Sequence, residues 1–120
     1  MSQLSRDVAA FLPLPPVTFH ILVAFAGAER HGYAVIQEVA TRTGGTVQLS
    51  AGTLYRSIQR MLEQGLIVET TNRPRPATDD ERRRYYKLTP LGLRVMRAET
   101  ARLADLVRMA QATGLVPGRA

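Results

Sequence analysis

Apolar side chains recur along this chain in two rhythms, and the change from one to the other is sharpest between residues 49 and 70. Leu54, Ile58, Met61 and Leu62 return in steps of three and four, which places them on one face of an amphipathic helix. Ser50 stands where its hydroxyl caps the free N–H groups at the start of that helix. Gly65 supplies the stop, because a left-handed backbone costs glycine little. A β-prone run, LIVETT, follows at once at residues 66–71. Opposite the apolar stripe lie Gly52, Thr53, Arg56, Gln59 and Arg60, a face that is polar, cationic and short-chained near its start. Such a face suits a helix that enters a DNA groove; alone, it is equally the solvated side of any surface helix.

Elements on either side give that helix a context. Residues 1–13 read as weakly structured and end in a run holding Pro13, Pro15 and Pro16, the last fitted to the first turn of a helix. From 17 to about 28 apolar residues nearly surround the axis, so this helix is expected to be buried on more than one side. Gly27 and the polar stretch Glu29-Arg30-His31-Gly32 end it. A second helix, about 33–43, puts Tyr33, Ile36, Val39 and Ala40 on one face and stops at Gly44-Gly45. Two short helices joined tightly to a third with exposed Arg and Gln fit a helix-turn-helix. Beyond residue 71, a loop with Pro74 and Pro76 leads to a second strand candidate at 84–88. Alternation there sets Tyr86 and Leu88 against Tyr85 and Lys87. Two strands joined by a basic loop after such a helix form a wing.

Thr89-Pro90 predicts a cap followed by a first-turn proline, opening a helix that runs to about residue 113. The predicted fold is therefore mainly α with a two-stranded β-wing: a winged helix-turn-helix plus a long C-terminal dimerisation helix. Its expected parts are an N-terminal segment at 1–13, a DNA-binding domain at 14–89, the dimerisation helix at 90–113 and a tail at 114–120. Met96, Leu103, Leu106, Val107 and Ala110 form the stripe assigned to dimerisation, with Arg94, Arg97, Arg102 and Arg108 largely off it. A terminal helix of six turns outruns so small a domain, which favours a second copy as its partner. The other outcome is a helix folded back on its own core. Glu99, on the apolar stripe, argues against a clean zipper.

Composition narrows the chemistry. The 120 residues make one domain. Lys and Arg number 16 against 10 acids, a net charge of +6, and Lys87 is the one lysine. Arginine makes forked contacts to phosphate and guanine, and its excess favours a polyanionic partner. The arginine bias also points to a GC-rich bacterial genome. With no cysteine, disulfides, thiolate metal sites and thiol redox chemistry are excluded. No secretory signal is legible and the run at 17–28 is too short to span a bilayer, so the expected location is cytoplasmic. Two distant histidines give zinc no support. His20 reads as a core histidine and His31 as a helix-start residue. No nucleophile–base pair or phosphate-binding glycine loop is present, so neither an enzyme nor a cofactor is expected.

Taken in order, several short motifs resemble the PadR family of winged-helix transcriptional regulators. They are His31-Gly32-Tyr33, Gly52-Thr53-Leu54-Tyr55, Glu63-Gln64-Gly65-Leu66-Ile67, and Arg84-Tyr85-Tyr86-Lys87-Leu88-Thr89 with Gly92. The resemblance covers about residues 17–95 and is to the short form with a single C-terminal helix. It implies a dimeric repressor on an inverted-repeat operator of double-stranded DNA; a small-molecule effector is a further candidate partner, one that the resemblance does not supply. Members commonly carry proline after the tyrosine of the third helix, where this chain has Arg56. The tryptophan that lines a drug cavity in some relatives is absent, so stacking on indole is not available here.

In the recognition helix, Ser50, Thr53 and Tyr55 are assigned to phosphates or thymine methyl groups, and Arg56, Gln59 and Arg60 to guanine, adenine or phosphate. Tyr55 lies at the rim of the apolar face, and core packing is its alternative role. In the wing, Arg73, Arg75 and Arg83 are the candidate contacts, partly offset by Asp79, Asp80 and Glu81. The competing reading, from another class, is a winged helix used for protein–protein contact without specific DNA binding. A third is an apolar small-molecule receptor whose dimer interface holds the ligand. Several arginine–phosphate contacts predict a DNA affinity that falls roughly 10³-fold or more between low and moderate salt, and a protein-binding module has no such affinity.

Overall fold

The computed structural model describes residues 7–70 and 84–115. Four helices and three short strands follow one another as α1 (Pro16–Ala26), β1 (Arg30–His31), α2 (Gly32–Arg42), α3 (Ala51–Glu63), β2 (Ile67–Thr70), β3 (Tyr85–Leu88) and α4 (Pro90–Ala112), with a helical turn at 7–9 ahead of them. The architecture is mainly helical, with a small antiparallel sheet and a long C-terminal helix, as the pattern predicts. In one respect it differs: the sheet has three strands in the order β1–β3–β2 rather than two. Arg30 and His31 pair with Tyr86 and Tyr85 on the free edge of β3.

Each boundary has a local cause. At the start of α3 the Ser50 hydroxyl accepts the Thr53 N–H at 3.1 Å, and at α4 the Thr89 hydroxyl accepts the Gly92 N–H at 3.0 Å. His31 does the same for α2 through Nδ1, which accepts the Ala34 N–H at 3.2 Å. Gly65 takes φ +77° after α3, the left-handed geometry expected there. Pairing of β2 with β3 sets Ile67 opposite Leu88 and Glu69 opposite Tyr86. Tyr86 points inward, buried and edge-on to Phe25 at 6.1 Å, while Lys87 faces out, as period-two alternation requires.

A single core lies where α1 meets α2, α3, the sheet and the first turns of α4. Ile21, Leu22, Ala24 and Phe25 of α1, Val35 and Val39 of α2, Leu54, Ile58 and Met61 of α3, Leu66, Ile67 and Val95 are all buried in it. At about 1.5–3 kcal/mol for each large side chain buried, this shared core is what holds the helices on one another. Two expectations are corrected here. Tyr33 is 61 % exposed; the buried side of α2 is the Gly32–Val35–Val39 line with Ile36 beside it. From residue 7 onward the N-terminal segment is packed, not loose, with Val8 and Leu14 buried and Phe11 and Leu12 against the core.

Glu99 explains part of that order. Almost wholly buried, its carboxylate accepts the Leu14 N–H at 3.1 Å and two bonds from Arg102, at 2.6 and 2.8 Å. The Arg102 hydrogen bonds hold its carboxyl below the ordinary carboxylate value; the Leu14 amide adds to the effect and burial opposes it. The acid on the apolar stripe is thus a tie between the N-terminal segment and α4. Met96, assigned to the dimerisation stripe, is instead buried in the subunit's own core.

Candidate nucleic-acid interface

Helix α3 packs its Leu54–Ile58–Met61 face inward and leaves the opposite side bare. Ser50, Gly52, Tyr55, Arg56, Gln59 and Arg60 are exposed and Thr53 is half-buried. Their arrangement is ordered at the start of the helix. Ser50 Oγ and Thr53 Oγ1 lie 3.1 Å apart, and the Arg56 guanidinium leans back to donate to Thr53 Oγ1 at 3.5 Å. No acid occurs from 50 to 62; Glu63, which accepts from Gln59 at 3.4 Å, is the first. The positive potential is therefore concentrated on the N-terminal three turns of α3, the end that also carries the positive pole of the helix dipole.

Tyr55 takes an intermediate place between its two expected roles. It is 43 % exposed, yet a methyl group built on Gly32 would stand 2.9 Å from its hydroxyl oxygen and 3.1 Å from two ring atoms. The ring thus lies across the start of α2, where a Cβ at residue 32 would crowd the end of the Tyr55 side chain. Two motifs distant in sequence, His31-Gly32-Tyr33 and Gly52-Thr53-Leu54-Tyr55, are one packing joint. His31 extends it to the sheet, its ring edge-on to Tyr85 at 5.4 Å.

Arginines divide into two groups. Arg30, Arg42, Arg84, Arg102 and Arg108 each face a carboxylate, those of Glu38 (for both Arg30 and Arg42), Glu69, Glu99 and Asp105. The Arg42 hydrogen bond holds the Glu38 carboxyl below its usual value, with the nearby Arg30 charge acting the same way. Arg30 also donates to the Ala24 carbonyl at 2.7 Å, closing the end of α1. Among the described residues Arg56, Arg60, Arg94 and Arg97 have no carboxylate partner. Two of those four stand on the bare side of α3.

Arg73, Arg75 and Arg83, the wing candidates, lie outside the described residues. Sequence reasoning missed Thr18, Ser57 and Gln64, which border a cleft between α1 and α3 together with Thr53, Arg56, Arg60 and Met61. A signal was present: Thr53, Ser57, Arg60 and Gln64 recur in helical steps and make a polar flank next to the apolar stripe. Among the described residues no group of three His, Asp or Glu is placed to hold a metal ion.

On α4, Leu106 and Val107 are 46 % and 45 % exposed, Met109 is 61 % exposed, and Leu103 and Ala110 are half-buried. Nearer the domain, Val23, Ala26, Leu93, Met96, Ala101 and Ala104 line an open apolar groove of about 450 Å³ between α1 and α4. No described helix is long and apolar enough to cross a membrane.

The profile of the PadR-like family of transcriptional regulators matches residues 21–98. The chain belongs to the PadR-like family. It is a family of regulators, not of enzymes. A transcriptional regulator of Mycobacterium tuberculosis is 34 % identical over 92 residues, 77 % of this chain and 79 % of that protein. An uncharacterized protein of Lysinibacillus sphaericus is 36 % identical over 64 residues, 53 % of this chain, so the match spans about half (56 %) of that relative's length. A PadR family regulator from Clostridium difficile shares the fold with a TM-score of 0.68 at 18 % identity, over 82 % of this chain and 98 % of that one. Bacillus subtilis PadR, solved in complex with operator DNA, shares it with a TM-score of 0.61 at 20 % identity, over 72 % of this chain and 47 % of that one.

Proposed function

We propose that this PadR-like chain is a sequence-specific DNA-binding regulator that acts as a homodimeric repressor. One observation carries the reading: the bare side of α3, without an acid from 50 to 62 and with Arg56 and Arg60 lacking a carboxylate partner, on a helix seated by its buried stripe and packed through Tyr55 against Gly32. The operator complex of Bacillus subtilis PadR, which has the same fold, supports it. The start of α3 enters the major groove. Ser50, Thr53, Tyr55, Arg56, Gln59 and Arg60 are its contacts, and Arg73, Arg75 and Arg83 reach the duplex from the wing.

Two copies join through Leu103, Leu106, Val107 and Ala110 of α4, of which Leu106 and Val107 are left exposed and Leu103 and Ala110 half-buried by the described residues. Each copy then offers one recognition helix to half of an inverted repeat, and the bound dimer occludes the promoter in the cytoplasm. A small-molecule effector acts by altering the angle between the two DNA-reading heads. To do so it must bind one dimer geometry better than the other. The test is an anisotropy titration on the promoter of the protein's own gene beside a random duplex of equal length. Tighter binding to the promoter is expected. Equal binding to both removes the claim of sequence specificity, and no DNA affinity at any salt favours a protein-binding winged helix.

A further inference from the structure

We infer that the cleft between the start of α1 and the flank of α3 is a clamp for one backbone phosphate of duplex DNA. Resting on the DNA-binding reading above, it assigns Arg56 and Arg60 to the phosphodiester backbone rather than to base edges. The cleft has a volume of about 180 Å³ and is bordered by Thr18, Thr53, Ser57 and Gln64 as well as the two arginines and Met61. Every polar side chain among them can donate a hydrogen bond, and none is acidic. A phosphate oxygen accepts only, so a rim of hydroxyl, amide and guanidinium donors matches it.

Charge sharpens the match. Most of the described arginines are ion-paired, while the two at this cleft are not. Guanidiniums held near each other without a carboxylate repel, and an anion between them relieves that repulsion. Arg56 borders the cleft and donates to Thr53 Oγ1, another of its lining residues, at 3.5 Å. Thr18 sits in the first turn of α1, a helix whose start has no side-chain cap, so the positive end of that helix adds to the field. Base reading is then left to Gln59 and the neighbouring positions of the exposed line.

The experiment measures affinity by anisotropy between 50 and 200 mM salt, on a random-sequence duplex and on the own-gene promoter duplex. The proteins are the wild type, Arg56→Gln/Arg60→Gln, Thr18→Val and, as a control, Arg108→Ala. Each phosphate contact contributes about 0.9 to the slope of log affinity against log salt. The double variant, which loses the one clamped phosphate, should reduce the slope by about 0.9 on both duplexes, weaken binding roughly tenfold or more at low salt, and leave the promoter-to-random ratio unchanged. Thr18→Val should weaken both a few-fold with no change of slope, since a neutral donor is lost. Arg108→Ala, which removes a charge already paired with Asp105, should match the wild type. An unchanged slope in the double variant, or a ratio that collapses because binding is lost on the promoter alone, overturns the clamp. A wild type without salt-dependent affinity for either duplex overturns the DNA-binding reading itself, a separate outcome. Circular dichroism of each variant separates these results from loss of folding.

Discussion

Replacing Gly92 with alanine should destabilise the protein strongly, although the same change in an ordinary helix stabilises it. Gly92 lies in the first turn of α4, where alanine normally gains about 1 kcal/mol over glycine. Here the added Cβ would fall 2.0 Å from the Leu66 carbonyl oxygen and 3.0 Å from its carbon. That is about 1.5 Å inside van der Waals contact, and the obstacle is backbone, which cannot rotate aside. The junction is also bonded: the Thr89 N–H donates to Leu66 O at 3.0 Å and the Thr89 hydroxyl to Gly65 O at 2.6 Å. Opening it enough for a methyl group costs about 1–3 kcal/mol in overpacking and about 1 kcal/mol for each weakened hydrogen bond. Against the helical gain, the net loss is about 3 kcal/mol, or roughly 10 °C in Tm for a chain of this size. Gly52→Ala is the matched control, because its Cβ would meet only the end of the Arg56 side chain, at 3.3 Å. It should melt at or slightly above the wild-type temperature. Thermal circular dichroism at one fixed protein concentration decides, since dimerisation ties Tm to concentration. A Gly92→Ala protein melting within about 2 °C of wild type would refute the close approach of α4 to the corner between α3 and β2.

Further expectations concern other joints. Glu99→Gln should be less stable than wild type near neutral pH by about 1–3 kcal/mol in urea unfolding. Because the folded pKa of Glu99 is depressed, its contribution is complete above about 4.5 and is lost as pH falls through the lowered value. The gap between the two proteins should therefore narrow at pH 3.5, and a gap independent of pH contradicts the Arg102–Glu99–Leu14 tie. Gly32→Ala should lose about 1–3 kcal/mol by crowding Tyr55, and Gly32→Ala/Tyr55→Leu should recover part of it in thermal melts; no recovery means the ring is not the obstacle. Leu106→Glu/Val107→Glu should remain folded but sediment as a monomer, with promoter affinity at least tenfold weaker. A persisting dimer would place the subunit interface elsewhere.

Legibility from sequence followed the range of the interactions involved. Helix α3 was readable because its determinants are local: the Ser50 cap, the Leu54–Ile58–Met61 repeat and Gly65 lie within one short window. Thr89-Pro90 was readable for the same reason. Strand β1 was not, since two residues show no period and Arg30 and His31 become a strand only by pairing with the edge of β3. The helical spacing of Tyr33 from Ile36 and Val39 predicts an inward ring, but the burial of α2 is centred on Val35 and Val39, which turns Tyr33 out. Met96 shares a stripe with Leu103 and Leu106, and periodicity does not reveal where α4 leaves its own domain. Glu99 looked like a flaw in an interface because its partner amide belongs to Leu14, 85 positions away. At the candidate site the outward line of α3 was legible, whereas Thr18 was not: its place in the cleft depends on how α1 crosses α3.

Whether the start of α3 lies in the duplex can be tested at a single position, because the chain has no cysteine of its own. Ala51→Cys places one exposed thiol in the first turn of α3, and Met109→Cys places one on the distal part of α4. Each protein is coupled to an iron chelate that cleaves nearby DNA and is bound to the own-gene promoter duplex. Strand cleavage is expected from position 51, confined to two sites related by two-fold symmetry, and none from position 109. Silence from 51 together with cleavage from 109 would contradict this placement of α3.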